Sequence, residues 1–242
     1  MPGLMRAIEL LATPGALPAL LRWKKFSLAS YCIVQRLKEA GVAPASIVDV
    51  GANVGQFAVA ATNLMPHATL HAIEPDPATA STLRANLPPE VAARVIVSAI
   101  GEREGSVEFQ VNRDSQVSSV LPLGEDRKAS FPGSTVQRTM KVPMATLDGL
   151  FAAAGLASPI LLKIDVQGYE DRVVAGAVGF LQQVKWVVIE TAFARLYEGE
   201  RDFASMLDLM REHGFRFVKP LNFHTSDVTG AIIEMDALFE RV

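Results

Sequence analysis

From Ser46 onward, short runs of β-branched and aliphatic residues alternate with stretches of helical periodicity, and this alternation limits the fold more than any other feature of the chain. Ser46–Val50, Thr69–Glu74, Val95–Ile100, Ile160–Asp165 and Trp186–Glu190 read as strands. Gln56–Leu64, Pro77–Leu87, Leu147–Ala154, a stretch from Glu170 and Asp202–His213 read as helices, the last closed by Gly214. Repeated strand–helix units require a mostly parallel sheet covered on both faces, and the runs VIV, ILL and WVVI have the unbroken apolar character that such buried strands need. Ser106–Val111 and Val136–Val142 are expected to pair as a hairpin, and Phe215–Leu221 with Ala231–Glu234 as a terminal antiparallel pair. The expected fold class is therefore α/β: a Rossmann-like, doubly wound, mostly parallel seven-stranded sheet with an antiparallel pair at one edge. The polar segment Asn112–Ser134, rich in Ser, Gly, Pro and charge, is the candidate for a flexible lid or substrate loop.

Composition narrows the classes of function. At 242 residues, 50 % apolar and 20 % charged, the chain can bury a large core, which excludes wholesale disorder. A net charge of -3 argues against a general grip on nucleic acid phosphates. Cys32 is the only cysteine, so neither an intrachain disulfide nor a cysteine-held metal cluster can form, and a reducing cytoplasm is the expected location. The longest apolar run, Ala7–Leu21, is interrupted by Glu9, Pro14 and Pro18 and falls short of a membrane span. Its cations Arg22, Lys24 and Lys25 follow the apolar part, the reverse of a secretory signal. Residues 1–45 are therefore expected to form a helical extension or cap, and residues 1–25 are also candidates for peripheral contact with an anionic membrane face.

In open α/β sheets, ligands bind beyond the carboxyl ends of the strands, so the residues just after each strand carry the functional signal. The first strand runs into Asp49-Val50-Gly51-Ala52-Asn53-Val54-Gly55-Gln56. Its glycines permit a sharp turn and a close backbone approach before a helix N-terminus. The spacing is not the dinucleotide G-x-G-x-x-G, and an acid at position 49 suits a cation better than a pyrophosphate. The second strand ends at Glu74, 19 residues beyond Gly55, where a carboxylate can accept hydrogen bonds from both hydroxyls of a ribose. A ribose-binding acid joined to a turn unsuited to pyrophosphate points to an adenosine ligand without phosphates, S-adenosylmethionine.

The sequence resembles class I S-adenosylmethionine-dependent methyltransferases, and within them the FkbM family. The resemblance is carried by VDVGANVGQF (48–57), HAIEPDP (71–77), VSAIGE (97–102), TLDGL (146–150), LKIDVQGYE (162–170) and VVIE (187–190), and it covers about Ser46 to Glu234. Residues 46–242 are accordingly expected to be the methyltransferase domain. One departure is Gln167, where the family pattern often has Glu. The resemblance implies that Asp49, Gly51, Asn53, Gly55 and Gln56 surround the methionine part of the donor and that Glu74 binds its ribose. It implies that Asp76 and Ser98-Ala99-Ile100 wall the adenine, and that Ser118 and Ser119 lie near the donor. For Asp76 the competing expectation is a helix cap. The implied reaction is O-methylation of a hydroxyl, of a sugar in a glycan or glycolipid or of a natural product, with no nucleic acid partner.

Lys163, Asp165 and Glu190 form a second constellation and are the candidate catalytic residues. Lys163 and Asp165 share one face of their strand, and a lysine in an apolar strand requires a charged partner such as Glu190, Asp165 or Glu170. Asp165 or Glu190 can take the proton of a hydroxyl acceptor. His224, between the last two strands, is a candidate acceptor contact, whereas His213 suits a helix C-terminus and His67 and His71 read as structural. Phe193, Arg195 and Tyr197 either shape an acceptor rim or pack the next helix. No Asp/Asn cluster completes a divalent metal site around Asp165 and Glu190. Two rival classes share these features in part: a nicotinamide-dependent oxidoreductase, which should carry the three-glycine fingerprint, and a non-catalytic adenosyl-binding module, which would need neither Asp165 nor Glu190.

Overall fold

The computed structural model describes residues 2–130, 134–151, 153–226 and 228–242. Ten strands occur among them: β1 (Ser46–Val50), β2 (Thr69–Ile73), β3 (Val95–Ile96), β4 (Ala99–Ile100), β5 (Gly105–Asn112), β6 (Val136–Ala145), β7 (Ile160–Ile164), β8 (Val184–Ala192), β9 (Phe215–Thr225) and β10 (Ile232–Arg241). Three helices precede the first strand: α1 (Pro2–Ala12), α2 (Ala16–Arg22) and α3 (Leu28–Glu39). The others are α4 (Gln56–Leu64), α5 (Pro77–Asn86), α6 (Pro89–Ala92), α7 (Glu125–Ser130), α8 (Leu147–Phe151), α9 (Glu170–Ala175), α10 (Val178–Leu181) and α11 (Phe203–Glu212).

Seven strands form one sheet in the order β3-β2-β1-β7-β8-β10-β9. All its pairings are parallel except those of β10 with β8 and β9, as the terminal strand pair led us to expect. Both central strands are buried along their whole length, and successive residues alternate between two cores. Ile47 and Leu161 pack on one face with α3 and α4 residues such as Leu37 and Phe57. Val48 and Leu162 pack on the other with Val173, Phe180 and Met210. Strand order reverses between β1 and β7, and a cleft opens there at the carboxyl ends.

Three expectations need correction. Val95–Ile100 is two strands: Ile96 still pairs with Ile73 in the main sheet, while Ala99 and Ile100 have moved to β6. A second sheet, β4-β6-β5, results, and the expected hairpin is its β5/β6 pair. The last strand runs to Arg241 instead of stopping at Glu234, paired on both sides by β8 and β9. The polar segment is partly ordered: Ser115–Val117 forms a short 3-10 turn, Gln110 and Ser119 bridge, and α7 follows; residues 131–133 of that segment lie outside the described residues.

Candidate active site

A cavity of about 1230 Å³ occupies the cleft, and its walls come from both halves of the sheet. On the side of β1 and β2, the chain leaves Val50 through Gly51, whose φ is +81°. A Cβ there would lie 1.8 Å from the carbonyl oxygen of Asp165, so only glycine lets the ends of β1 and β7 approach this closely. Gly55, at φ +97°, then starts α4, and Gln56 opens into the cavity. Glu74 closes the turn from the opposite strand: its Oε2 accepts the Asn53 N–H at 3.0 Å and its Oε1 the Asp76 N–H at 3.0 Å. Each oxygen keeps a further lone pair for a ligand hydroxyl. Burial raises the Glu74 carboxyl to about 7, against the pull of those two N–H groups. Ser115 reaches over from the polar segment and donates to Asn53 Oδ1 at 2.9 Å.

On the side of β7, Lys163 lies between two carboxylates, 3.1 Å from Asp165 Oδ2 and 3.4 Å from Asp49 Oδ1, with the Phe57 ring 5.5 Å away. Burial opposes its charge, yet Asp165 and Asp49 outweigh burial and hold its pKa above the usual value. Burial likewise opposes ionisation of Asp165, but Lys163 and a hydrogen bond from Gln167 hold its carboxyl below the usual range. Gln167 bridges the site. Its Nε2 donates to Asp165 Oδ1 at 2.9 Å and to Glu190 Oε2 at 2.5 Å, and its Oε1 accepts from Tyr197 Oη at 2.7 Å. The residue is held at φ +60°, and Ser119 Oγ donates to its carbonyl at 2.6 Å. Glu170 accepts from the N–H groups of Val166 and Gly168, fixing the loop around it. Burial and the neighbouring Asp165 and Glu234 push Glu190 well above the usual carboxylate range.

The antiparallel strands complete this wall. Glu234 pairs with Arg127 of α7 at 3.5 Å, and His224 Nε2 lies 3.7 Å from Asp236 Oδ2, which raises the imidazole pKa. All four line the cavity, as does Phe223, which is 47 % exposed. Pattern reading missed Arg127, Glu234 and Asp236. Arg127 sat in a segment read as mobile, and the two acids interrupt the apolar pattern of their strand.

Of the residues singled out from sequence, Lys163, Asp165 and Glu190 all line the cavity and are joined through Gln167. Gly51, Asn53, Gln56 and Glu74 line it too, as do Ser98, Ala99 and Ile100. Asp49, Gly55, Asp76 and Ser119 are not among the lining residues. Asp49 is fully buried behind Lys163. Asp76 caps α5 through the Ala78 N–H and pairs with Arg138 at 2.9 Å, the competing expectation for it. Ser119 anchors the loop at Gln167 rather than facing the cavity. Tyr197 is buried against Gln167, while Phe193 packs on Phe203 at 5.4 Å, so the two belong to different structures. His213 stands at the C-cap of α11, and His71 meets the Phe151 ring edge-on.

Comparison with known proteins decides the family. The model of the methyltransferase FkbM domain matches residues 49–217. The chain belongs to the FkbM methyltransferase family. It is thus an S-adenosylmethionine-dependent methyltransferase, which sets aside the oxidoreductase alternative. Among curated relatives, the 2-O-methyltransferase NoeI of Sinorhizobium fredii is 29 % identical over 170 residues, covering 68 % of this chain and 70 % of that one. The 31-O-demethyl-FK506 methyltransferase FkbM of Streptomyces tacrolimicus is 29 % identical over 195 residues, covering 71 % and 73 %. Among solved structures, the N-terminal domain of EvdMO1, determined in the presence of SAH and D-fucose, aligns with a TM-score of 0.50 at 10 % identity, over 88 % of this chain and 83 % of that one, a likeness of fold. The chemistry of this FkbM-family cleft suits the donor: the Gly51 approach leaves room at the switch point, Glu74 offers free lone pairs to a diol, and the carboxylates favour a cation.

Proposed function

We propose that this FkbM-family chain transfers a methyl group to a hydroxyl of a sugar, carried on a glycan or glycolipid, with residues 46–242 as the transferase domain and residues 1–45 as its cap. The carrying observation is the wall opposite the donor turn, where Asp165, Gln167, Glu190, Glu234, Asp236 and His224 gather in one cleft. A density of carboxylate, amide and imidazole groups answers a ligand bearing several hydroxyls, and the exposed ring of Phe223 at the rim offers an apolar face to a pyranose. The cavity exceeds the ~300–1,000 Å³ of a single small-molecule site, which leaves room for donor and acceptor together. Two curated relatives, NoeI and FkbM, are O-methyltransferases, which supports oxygen as the receiving atom.

The roles follow from chemistry. Gly51, Asn53, Gln56 and Glu74 hold the donor, with Ser98, Ala99 and Ile100 beside its base and Asp49, Gly55, Asp76 and Ser119 shaping the walls from behind. When bound, S-adenosylmethionine supplies an electrophilic methyl carbon on a sulfonium. Asp165, kept ionised by Lys163, orients the acceptor hydroxyl and faces the positive centre. Lys163 is a positioning residue for Asp165. Glu190 is the better base, because its pKa lies closer to that of the group it must deprotonate, and a cation nearby favours its ionised form.

Transfer of labelled methyl to monosaccharides, glycolipids and sugar-free macrolides tests the acceptor class. Sugars and glycolipids are expected to be methylated, and Glu190→Gln to lower kcat by about 10²-fold or more while leaving SAH affinity unchanged. Methylation of sugar-free hydroxyls alone would overturn the acceptor assignment, and an unimpaired Glu190→Gln enzyme would remove the base.

A further inference from the structure

We infer that α1 and α2 form a docking face for an anionic lipid bilayer, beside the mouth of the cleft. The inner side of this helical pair is already satisfied: Ala16, Ala19 and Tyr31 are buried together with Leu10, Trp23, Phe26 and Leu28 packed against them. Tyr31 Oη donates to the Pro14 carbonyl at 2.8 Å, and Lys24 Nζ to the Ala85 carbonyl at 3.0 Å, tying the pair to the body. Apart from Glu9, what remains outside along the described side chains up to Leu21 is mostly apolar. Ile8 is 55 % exposed, Leu11 71 % and Leu21 78 %, with Leu17 and Leu20 above 40 %.

Five of the thirteen exposed large hydrophobic residues among those described thus fall within 14 consecutive positions, a concentration that scattered surface residues do not produce. Charge selects the occupant. Residues 1–25 hold four Lys and Arg against the single acid Glu9, in a chain whose acids outnumber its bases overall. Arg22 and Lys24 are exposed directly after the outward leucines, and Lys25 is half-buried. An apolar face followed by cations complements the headgroups and upper acyl region of an anionic leaflet. Among the described residues no helix is long and apolar enough to cross a membrane, so the contact is peripheral. Glu9, Leu10 and Leu20 also line the cavity, which places its rim against the same face.

The contact is independent of the identity of the acceptor, so its test needs no turnover. The full chain is floated with phosphatidylcholine vesicles and with vesicles that also contain phosphatidylglycerol. Preferential flotation with the anionic vesicles, weakened by salt, is expected. Leu11→Asp with Leu21→Asp should reduce flotation to background, and Lys24→Glu with Lys25→Glu should lower affinity by about tenfold or more. SAH binding of each variant, measured by calorimetry, confirms that the fold is retained. Absence of flotation by protein that binds SAH would overturn the inference. So would flotation indifferent to both pairs of substitutions, or a solution dimer that the leucine substitutions dissociate while vesicles remain unbound.

Discussion

The two walls of the cleft are built from different materials. The wall proposed to hold the donor is largely main chain: its shape comes from the left-handed turn at Gly51, the helix start after Gly55 and the backbone N–H groups that hold Glu74. The wall proposed to face the acceptor is made of side chains delivered by β7, β8, β9, β10 and α7, locked to one another by Gln167 and Arg127. A main-chain wall fails when a single atom is added, whereas a side-chain wall fails by degrees as its protonation pattern changes.

That contrast can be broken most directly at Gly51. Gly51→Ala places a methyl on the Asp165 carbonyl at an unfavourable φ, with an expected stability loss of about 3 kcal/mol or more and no SAH binding by calorimetry. Normal binding by this variant would mean that the donor wall is as adaptable as the other. Gln167→Glu comes next. It replaces the bridging amide by a third carboxylate, and about a hundredfold loss of turnover at neutral pH is expected. Because the trio then needs an extra shared proton, residual activity should move to lower pH; a loss equal at every pH would reduce Gln167 to a packing role.

The smallest effect concerns Glu74, the carboxylate proposed to hold the donor's ribose. With its carboxyl raised to about 7 in the unliganded protein, the ionised form that accepts two hydroxyls dominates at pH 8 and is a minor species at pH 6. SAH affinity should therefore fall by about tenfold between those values, and Glu74→Gln should flatten the dependence. A flat profile in the native chain would remove Glu74 from ribose recognition.

The same contrast explains what could be read from residues alone. A main-chain wall is local, so the glycine turn and the acid after β2 announced themselves in one stretch of sequence. β1 and β7 were equally plain, as short runs of β-branched and aliphatic residues. The acceptor wall is assembled across long separations and was read only in part. Glu234 and Asp236 break the apolar pattern of β10, because the side chains that disturb its pattern are the ones that line the cleft. Arg127 is buried against Glu234, more than a hundred positions away, and over the Tyr197 ring. The division of Val95–Ile100 was equally hidden, since residues that change sheets keep the same apolar pattern as residues that do not.

The contact between Gly51 and the Asp165 carbonyl also bears on how such a protein can diversify. It pins the path of the chain at the seam between the two walls, so on the proposed roles a new acceptor can be accommodated by exchanging side chains along β8, β9 and β10 but not by rerouting the loop after β7. Lineages descending from this fold should differ in the acids, amides and rings they present there, while the seam itself stays immobile, and a designer seeking a different acceptor has the same freedom and the same boundary.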